Sequence, residues 1–293
     1  MGTLGTRASN GAILDAIATD TTVPDAGQHP QRARGTARLV AKSAGDCTRL
    51  QVFYQEGAAK MRMPQSFDGR MEAVLINTAG GLTGGDSIAW QVEAGTGTSI
   101  TVTTQACERI YKSSGGNAEV NSTLTVGDGA ELHWLPQETI LFNRSALQRT
   151  LDVDLAETAE FVALEAVLLG RKAMGEIVQS GHFRDRWRVR RNGVLIHAED
   201  VCLSGDIEAL TARSPVLAGN MAFATLLYCG RRSEVLLPKL RSLLANGTAA
   251  ASQWNGKLVV RFVASDGYAL RKILIPAISL LRNGEPPPKV WSL

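Results

Sequence analysis

The chain has 293 residues, 44% hydrophobic and 20% charged, with a formal net charge of +3 at pH 7. This composition allows a sizeable core, and the small charge by itself does not indicate a nucleic-acid partner. The longest apolar run is far shorter than a membrane span. The scattered cysteines and histidines predict a reducing, cytoplasmic location and give no local signal for a preformed tetrahedral metal site.

The N-terminal stretch is rich in small and polar residues and has no basic-led apolar segment or cleavage site of a secretory signal. We therefore expect a disordered leader over residues 1–34 and a single domain over 35–293. Within that domain the patterns predict a β body over about 35–205, a helical part over about 214–282 and an extended C-terminal tail.

A glycine-rich segment, GGLTGGD, follows an apolar run and contains Gly80, Gly81, Gly84 and Gly85. Gly80 and Gly85 have the spacing of a phosphate-binding loop, but Asp86 stands where that loop needs a lysine. A carboxylate at this position would repel a phosphate. The segment therefore predicts a turn whose glycines adopt positive φ or allow close backbone contact, with Asp86 at its mouth. A nucleotide-using enzyme is the alternative that this argument disfavours.

A repeat runs through the first half of the chain, where apolar and polar residues alternate as in strands. A shift of 32 residues places Ile100 on Leu132 and Val102 on Trp134, and a third copy continues the alternation at Phe161. The three segments are 94–105, 126–137 and 155–166. Repeated turn–strand units predict a layered, solenoid-like β body in which each unit buries its apolar face on the next. Hairpins of an ordinary sandwich are the alternative.

Three glutamates, Glu138, Glu165 and Glu176, recur in apolar surroundings. Buried carboxylates are ordinarily paired, so we expect each of them to bind an arginine. The arginines considered are Arg109, Arg144 and Arg171. The alternative is a wet interior of carboxylates that would hold a passing divalent cation weakly. No catalytic triad, acid–base pair or cofactor motif is evident, so we expect a protein that is not an enzyme.

The segment HFRDRWRVRR alternates sharply, which predicts a strand with arginines on one side and apolar residues on the other. The arginines are Arg184, Arg186, Arg188 and Arg190, and the apolar residues are Phe183, Trp187 and Val189. A solvated or edge-protecting strand face explains this pattern most simply. Docking to an acidic protein surface is the functional alternative. Binding of nucleic acid ranks third, because the aromatic residues face away from the arginines.

The last third of the chain changes character. Ser214 and Pro215 predict the start of a helix that ends at Gly230. SEVLLPKLRSLLANG has leucines at helical spacing, and GYALRKILIPAISLLRNG predicts a further helix that Pro276 should kink or interrupt. NGKLVVRFVAS predicts a strand between these two helices, and EPPPKVW at the end of the chain predicts an extended tail. The fold class is therefore mostly β, with two or three helices in the C-terminal third.

Several of these motifs together resemble the UreD/UreH family of urease accessory proteins. They are NTAGGLTGGD, TTQACERIYKS, LPQETILF, LEAVLLGRKAMGE and the terminal PPPKVW, and they occur in the family's order from about Gly35 to Trp291. The resemblance implies a non-catalytic maturation factor with a β-helicoid body. It also implies binding to apo-urease and to a UreF-type protein that recruits a UreG-type GTPase, with nickel passing through an internal tunnel.

The resemblance implies no permanently bound cofactor, only transient Ni²⁺. Asp86 and Glu176, with Glu138 as a third candidate, are expected to line the nickel path, since each lies in a motif shared with the family. The expected partner contacts are Arg184, Arg186, Arg188, Arg190, Leu240, Leu243 and Trp291. No nucleic-acid or membrane partner is expected.

Overall fold

The computed structural model describes residue 1 and residues 32–66, 68–171, 174–245 and 248–292. The leader predicted over 1–34 therefore lies outside the described residues from residue 2 to residue 31. In the described part the first strands are β1 Arg34–Ala44, β2 Cys47–Gly57, β3 Ala59–Arg62, β4 Met71–Asn77, β5 Ser87–Ala94, β6 Ser99–Thr104, β7 Glu108–Ile110, β8 Ala118–Val126 and β9 Glu131–Leu135.

The remaining elements are β10 Thr139–Leu141, β11 Ala146–Leu155, β12 Glu160–Leu169, β13 Ser180–Arg191, β14 Val194–Asp206, α1 Ile207–Ala212, β15 Ala222–Cys229, α2 Ser233–Leu244, β16 Ala249–Trp254, β17 Lys257–Ala264, α3 Gly267–Leu281 and a 3-10 helix at Lys289–Ser292. Strands make up 53% of the structure, and the helices follow the β body. The predicted fold class is confirmed. None of the helices in the described part is long and apolar enough to cross a membrane.

The strands form two large sheets, in which neighbouring strands lie in the order β14-β13-β11-β8-β5-β1-β2 (sheet A) and β16-β17-β15-β12-β9-β6-β4-β3 (sheet B). The chain passes repeatedly from sheet A to sheet B, so that strands one turn apart pair in parallel. The short strand β10 pairs in parallel with β12 on one side and with the short strand β7 on the other. The result is a β-solenoid-like body of about 4 turns.

The register of these parallel strands confirms the repeat predicted from the sequence. Ile100 pairs with Leu132 and Val102 with Trp134 between β6 and β9, the same pairs that the shift of 32 residues gives. Leu132 then pairs with Phe161 of β12, the third copy. Each turn therefore stacks equivalent apolar side chains on those of the next turn, as a solenoid requires.

The predicted glycine turn between β4 and β5 is also confirmed. Gly85 has φ of 90°, in the left-handed region that favours glycine. Gly84 lies so close to the next turn that a Cβ added to it would be 2.1 Å from Ser113 Oγ. The glycines thus allow close backbone contact, as expected.

Two apolar cores lie on opposite faces of sheet B. The first core fills the space between sheets A and B and includes Leu124, Phe161 and Trp187. The second core packs α2 and α3 against the outer face of sheet B and includes Leu164 and Leu240. Because β12, β15 and β17 are covered on both faces, their sequences read as nearly continuous apolar runs.

This double burial explains the one helix prediction that is wrong. Residues 214–230 do not form a helix: a turn follows Ser214 and Pro215, and β15 then occupies Ala222–Cys229. AFATLLYC has apolar residues at nearly every position because alternate side chains enter the two different cores. A strand of this kind cannot be distinguished from a buried helix by periodicity alone.

The predicted strand and the two other predicted helices of the last third are present in the structure. The strand in NGKLVVRFVAS is β17, and the helix in SEVLLPKLRSLLANG is α2, although its predicted end at 246–247 lies outside the described residues. Helix α3 runs through Pro276 without interruption, contrary to one of the two outcomes expected there. The tail is extended only as far as residue 288, because Lys289–Ser292 forms a 3-10 helix.

Candidate functional site

A cluster of charged side chains lies inside the first core. Arg149 of β11 is 6% exposed, and it is held between Glu165 of β12 and Asp185 of β13. Its guanidinium donates to both oxygens of Asp185, at 3.1 and 2.6 Å, and also to Glu165 Oε2. It donates further to Thr139 Oγ1 at 3.1 Å, while Trp134 Nε1 donates to Glu165 Oε1 at 3.0 Å. The expectation that Glu165 is paired is correct, but its partner is Arg149.

The cluster continues across sheet B. Glu165 pairs with Thr225 of β15, which pairs with Arg261 of β17, so the three side chains form a row on the inner face of the sheet. Glu199 of β14 reaches this row from sheet A, accepting from Thr225 Oγ1 at 3.0 Å and from Arg261 Nη1. We call Arg149, Glu165, Asp185, Glu199, Thr225 and Arg261 the interior polar row.

Burial controls the ionisation of the row. Burial raises the pKa of Glu165 to about 7, against the opposing charge of Arg149. For Glu199, burial would also raise the pKa, but His197, Arg261 and Thr225 hold it below its usual value. Burial would lower the pKa of the Arg149 guanidinium, but Asp185, Glu165 and Glu199 raise it. The row therefore keeps a permanent cation beside carboxylates that differ in how readily they lose a proton.

A small cavity adjoins the row. It has a volume of about 50 Å³, and its lining includes Arg149, Glu165 and Glu108 of β7. Glu108 also lines a pocket of about 190 Å³ whose wall includes the exposed Gln105 and the half-buried Cys107. Burial raises the pKa of Glu108 to about 7, although Asn77 donates to its carboxylate. Glu108 thus stands between the surface pocket and the interior polar row.

Of the predicted path residues, Asp86 is placed at the turn as expected. It is 5% exposed and lines a groove of about 680 Å³ at the start of β5. Its Oδ1 accepts from Ala33 N and its Oδ2 from Thr83 N, both at 2.8 Å. These two bonds fix the turn, so a cation bound at Asp86 would compete with backbone donors.

Glu138 and Glu176 are engaged with arginines. Glu138 is 1% exposed and accepts from Arg271 of α3, at 2.6 Å to Oε1 and 2.7 Å to Oε2. Glu176 accepts from Arg171 at 2.7 Å. Pairing with an arginine is correct for both, and Arg171 was among the expected partners. No hydrogen bond or ion pair joins any two of Asp86, Glu138 and Glu176 in the described part of the chain, and their place on a nickel path stays a prediction.

Sequence reasoning missed most of the interior polar row, namely Arg149, Asp185, Glu199 and Arg261. One signal was available, because Asp185 shares the buried side of β13 with Phe183 and Trp187 and is 6% exposed. An ionisable residue on an apolar strand face needs a buried partner. Arg149 carries the same signal on the apolar side of β11.

The predicted alternation of HFRDRWRVRR is confirmed, since the arginines of β13 face away from the core. They do not form an uncompensated row. Arg184 binds Asp200 at 2.7 Å, Arg190 lies 3.6 Å from Asp152, and Arg188 donates to the backbone oxygen of Glu199 at 3.0 Å. Neighbouring acidic and carbonyl groups therefore offset the like charges, and a docking role for this face stays a prediction.

The apolar residues predicted to contact partners fall into two groups. Leu243 is 46% exposed on α2, whereas Leu240 and Trp291 are 0% and 4% exposed. Trp291 Nε1 donates to Thr103 Oγ1 at 3.0 Å, which ties the tail to β6. In this structure Leu243 alone of the three presents an accessible side chain, and Leu240 and Trp291 serve the second core.

The fold and the interior polar row define a β-solenoid-like protein whose core contains ionised side chains. In the described residues no three His, Cys, Asp or Glu side chains are grouped so that they could hold a metal ion. The carboxylates of Glu165, Asp185 and Glu199 are instead engaged in ion pairs and hydrogen bonds.

Comparisons with known proteins identify the family. The sequence model of the UreD urease accessory protein family matches residues 33–292. The chain is 62% identical over 272 residues to a urease accessory protein UreD of Rhizobium johnstonii, covering 93% of this chain and 100% of that protein. It is 58% identical over 263 residues to a protein of the same name from Agrobacterium fabrum, covering 90% and 92% of the two chains. The chain belongs to the UreD family of urease accessory proteins.

Proposed function

We propose that this urease accessory protein is a non-catalytic scaffold that binds apo-urease and passes Ni²⁺ through its interior to the urease active site. In this proposal it works in the cytoplasm with a UreF-type accessory protein and, through that protein, with a UreG-type GTPase that supplies the nickel. Nickel is cargo here and is held only in transit.

The observation that carries this proposal is the interior polar row. Removing a charged group from water costs several kcal/mol, as an order of magnitude, unless it is well paired. An all-apolar interior would avoid that cost, yet this chain buries Glu165, Asp185 and Glu199 there. Among the described residues, their arginine partners are the buried Arg149 and the exposed Arg261. The row has one more acid than base, and this excess favours a passing cation when all three carboxylates are ionised.

The cavity beside Glu108 supports the same proposal. Its volume of about 50 Å³ has room for water, and the polar groups in its mostly apolar lining, such as Glu108 and Glu165, can hydrogen-bond to that water. Glu108 connects this cavity with the larger surface pocket, which supplies an entrance lined by carboxylate and amide groups. Single carboxylates along a wet passage hold a divalent ion more weakly than a closed cage of ligands, which suits release.

The two alternatives from the sequence find less support. At the glycine turn Asp86 already occupies the N–H groups of Ala33 and Thr83, so these donors are not open to a phosphate. On β13, acidic and backbone partners already engage Arg184, Arg188 and Arg190.

The test is urease activation in cells that co-express urease, the other accessory proteins and variants of this chain. Glu165→Gln removes an interior charge while keeping the shape of the side chain, and we expect lower urease activity and less nickel per urease. Glu160→Gln, on the same strand but outside the interior polar row, is the matched control. Pull-down of the partner complex should be unchanged for both variants. Normal nickel loading with Glu165→Gln would contradict passage through this row.

The predicted path residues are tested in the same assay with Asp86→Asn and Glu176→Gln. Lost activation with an intact complex would place those residues on the path. Loss of the complex itself would show that their bonds to Thr83 and Arg171 are structural. Unchanged activation would exclude them from the path.

A further inference from the structure

The segments that follow β4, β7, β10 and β12 meet at the end of the body where the glycine turn lies. Tyr111 N donates to Leu82 O at 2.7 Å, and Ser113 N donates to Arg144 O at 2.9 Å. Arg144 N in turn donates at 2.8 Å to the carbonyl of Ser180, where the fourth segment ends. The four segments therefore lie side by side at this end of the body.

Aromatic and apolar side chains are exposed on these segments. Tyr111 is 38% exposed and packs edge-on against Phe142, with ring centroids 5.1 Å apart. The Arg171 guanidinium lies over the Phe142 ring, 4.4 Å from its centroid. Met174 and Ile177, which follow Arg171 in the same segment, are 71% and 51% exposed. Aromatic residues, methionine and arginine are enriched in protein–protein interfaces, and adjoining exposed apolar side chains mark such sites.

The same segments carry cations that lack a partner. Arg109, Lys112 and Arg144 are exposed, and within the described ranges no hydrogen bond or ion pair engages their side chains. The arginines of β13 differ, because Arg184 and Arg190 already lie beside aspartates. The positive charge at this end of the body is therefore available to an outside group.

The carboxylates that adjoin these cations leave an excess of positive charge. Glu176 already accepts from Arg171 at 2.7 Å. Burial raises the pKa of Glu108, next to Arg109, to about 7, so this carboxyl is only partly ionised at neutral pH. Exposed charge of one sign steers and favours association with a surface of the opposite sign.

The backbone at Arg144 is consistent with a binding role. Its φ of 62° lies in the left-handed region, which residues other than glycine adopt infrequently. Strained positions of this kind concentrate at binding sites. Asn143 Oδ1 accepts from the N–H groups of Gln179 and Ser180 at 3.1 and 3.2 Å, and these bonds hold the turn in place.

We propose that this surface is the docking site for an acidic segment of a partner protein. We call it the loop-end surface, and its exposed side chains are Arg109, Tyr111, Lys112, Arg144, Met174 and Ile177. An apolar side chain of the partner packs on the aromatic and apolar residues, and carboxylates beside it pair with the three unpartnered cations.

This inference rests on the proposed function only in that the partner is a protein of urease maturation. It does not require nickel to pass through the interior. Arg109 also lines the surface pocket beside Glu108, so a partner docked here lies next to the proposed entrance.

The first experiment is carbodiimide cross-linking of the complex formed when this chain, urease and the accessory proteins are expressed together. The reagent joins a lysine amine directly to a carboxylate in contact with it, and mass spectrometry identifies both residues. We expect Lys112 to be joined to an aspartate or glutamate of another protein. Lys42, which is exposed on β1, is the control and should form no such link.

The second experiment reverses charge on the loop-end surface. Arg109→Glu with Arg144→Glu should reduce capture of the cross-linked partner at low salt at least about tenfold, as loss of central interface contacts does. The Lys112 link should disappear as well. Arg49→Glu with Arg62→Glu changes the net charge equally at exposed positions of β2 and β3. This control should leave capture unchanged.

Several results would overturn the inference. One is an intact complex in which Lys112 is unlinked, or is linked only to a second copy of this chain. Another is equal loss of capture in both double variants, which would assign the effect to net charge. Binding of a DNA duplex that only Arg109→Glu with Arg144→Glu abolishes would assign the surface to nucleic acid. If that variant does not fold, the Lys112 link in the unsubstituted chain decides.

The two proposals can fail separately. If Glu165→Gln lowers urease activation while Lys112 forms no link, the loop-end surface is wrong and passage through the row stands. If Lys112 is linked as expected while Glu165→Gln activates urease normally, passage through the row is wrong and the docking surface stands.

Discussion

The two cores of this molecule share sheet B but differ in chemistry. The second core, between sheet B and the helices, consists of apolar side chains such as Leu164, Leu240 and Leu274. The first core, between the sheets, combines a larger apolar cluster with the buried ions of the interior polar row. Strand β12 contributes to both, with Leu164 on one face and Glu165 on the other. Successive residues of β12 therefore point into different cores, one of them apolar and the other containing buried charges.

The largest expected effect comes from breaking the charged core. Arg149→Met would leave Glu165 and Asp185 buried without their cation, and we expect a loss of about 3–5 kcal/mol in the free energy of unfolding. Urea denaturation at pH 7.5 measures it.

The control carries Arg149→Met together with Glu165→Gln and Asp185→Asn, which removes the stranded charges. We expect this triple variant to recover part of the lost stability. If it is as unstable as Arg149→Met alone, lost packing rather than stranded charge dominates in the first core.

In the dry core the sensitive quantity is volume. Leu240 of α2 is fully buried, and Leu240→Ala should reduce the free energy of unfolding by about 3 kcal/mol, because it removes buried methyl groups and leaves a cavity. Leu243→Ala, on the same helix but 46% exposed, is the matched control and should change stability by less than about 0.5 kcal/mol. Equal losses of stability from both variants would show that Leu240 does not contribute more to the second core than Leu243 does.

Changing the pH tests a carboxylate at the edge of the charged core. The pKa of Glu108 is raised from 4.5 to about 7 in the folded chain. Between these values the folded state binds more protons than the unfolded state, so stability falls as pH rises from about 4.5 to about 7 and is level above that. Glu108→Gln removes this dependence, and we expect a gain of about 1–3 kcal/mol at pH 8 relative to pH 4.5.

Thermal melting over that pH range checks the result, with the exposed Glu119→Gln as control. A stability difference between Glu108→Gln and the unsubstituted protein that does not vary with pH would show that this carboxylate does not titrate in the range given.

The smallest effect on stability is expected outside both cores. Arg184 and Asp200 form an exposed ion pair on β13 and β14, and Arg184→Ala should leave the melting temperature nearly unchanged. If the arginine face docks on an acidic partner, Arg184→Glu with Arg186→Glu should weaken pull-down of that partner, and more so at low salt. Equal recovery of the partner with this double variant would leave that face as a solvated surface.

The sequence predicts elements whose hydrophobic pattern is local, and it does not predict the side-chain contacts between elements. The shift of 32 residues that aligns Ile100 with Leu132 is a local property of the sequence, and it reappears as the register of β6 and β9. The sequence predicts a helix over 214–230, but Ala222–Cys229 is a strand, and neither of its faces is polar. The strand shows no alternation of apolar and polar residues because each face packs into a different core. The existence of two cores is visible only in the tertiary structure.

The interior polar row was harder to predict for a related reason. Its residues come from different strands of both sheets, and Arg149 meets Glu165 and Asp185, 16 and 36 positions away, only when β11, β12 and β13 have packed together. The sequence signals that Glu165, Asp185 and Arg149 lie on apolar strand faces, but it does not show which of them meet. Asp185 also lies between two arginines, Arg184 and Arg186, which face the opposite side of β13, so the segment reads mainly as a row of arginines.

The bond from Trp291 to Thr103 has a consequence for how the chain is made. These residues are separated by 188 positions, and Arg271 also donates to the backbone oxygen of Trp291 at 3.0 Å. During synthesis the early turns emerge from the ribosome long before Arg271 and Trp291 are available to form these two bonds. The outer face of sheet B therefore stays partly uncovered until α2, α3 and Trp291 have been synthesised, and this delay exposes the nascent chain to aggregation. Slow translation of the final third would lengthen that exposure.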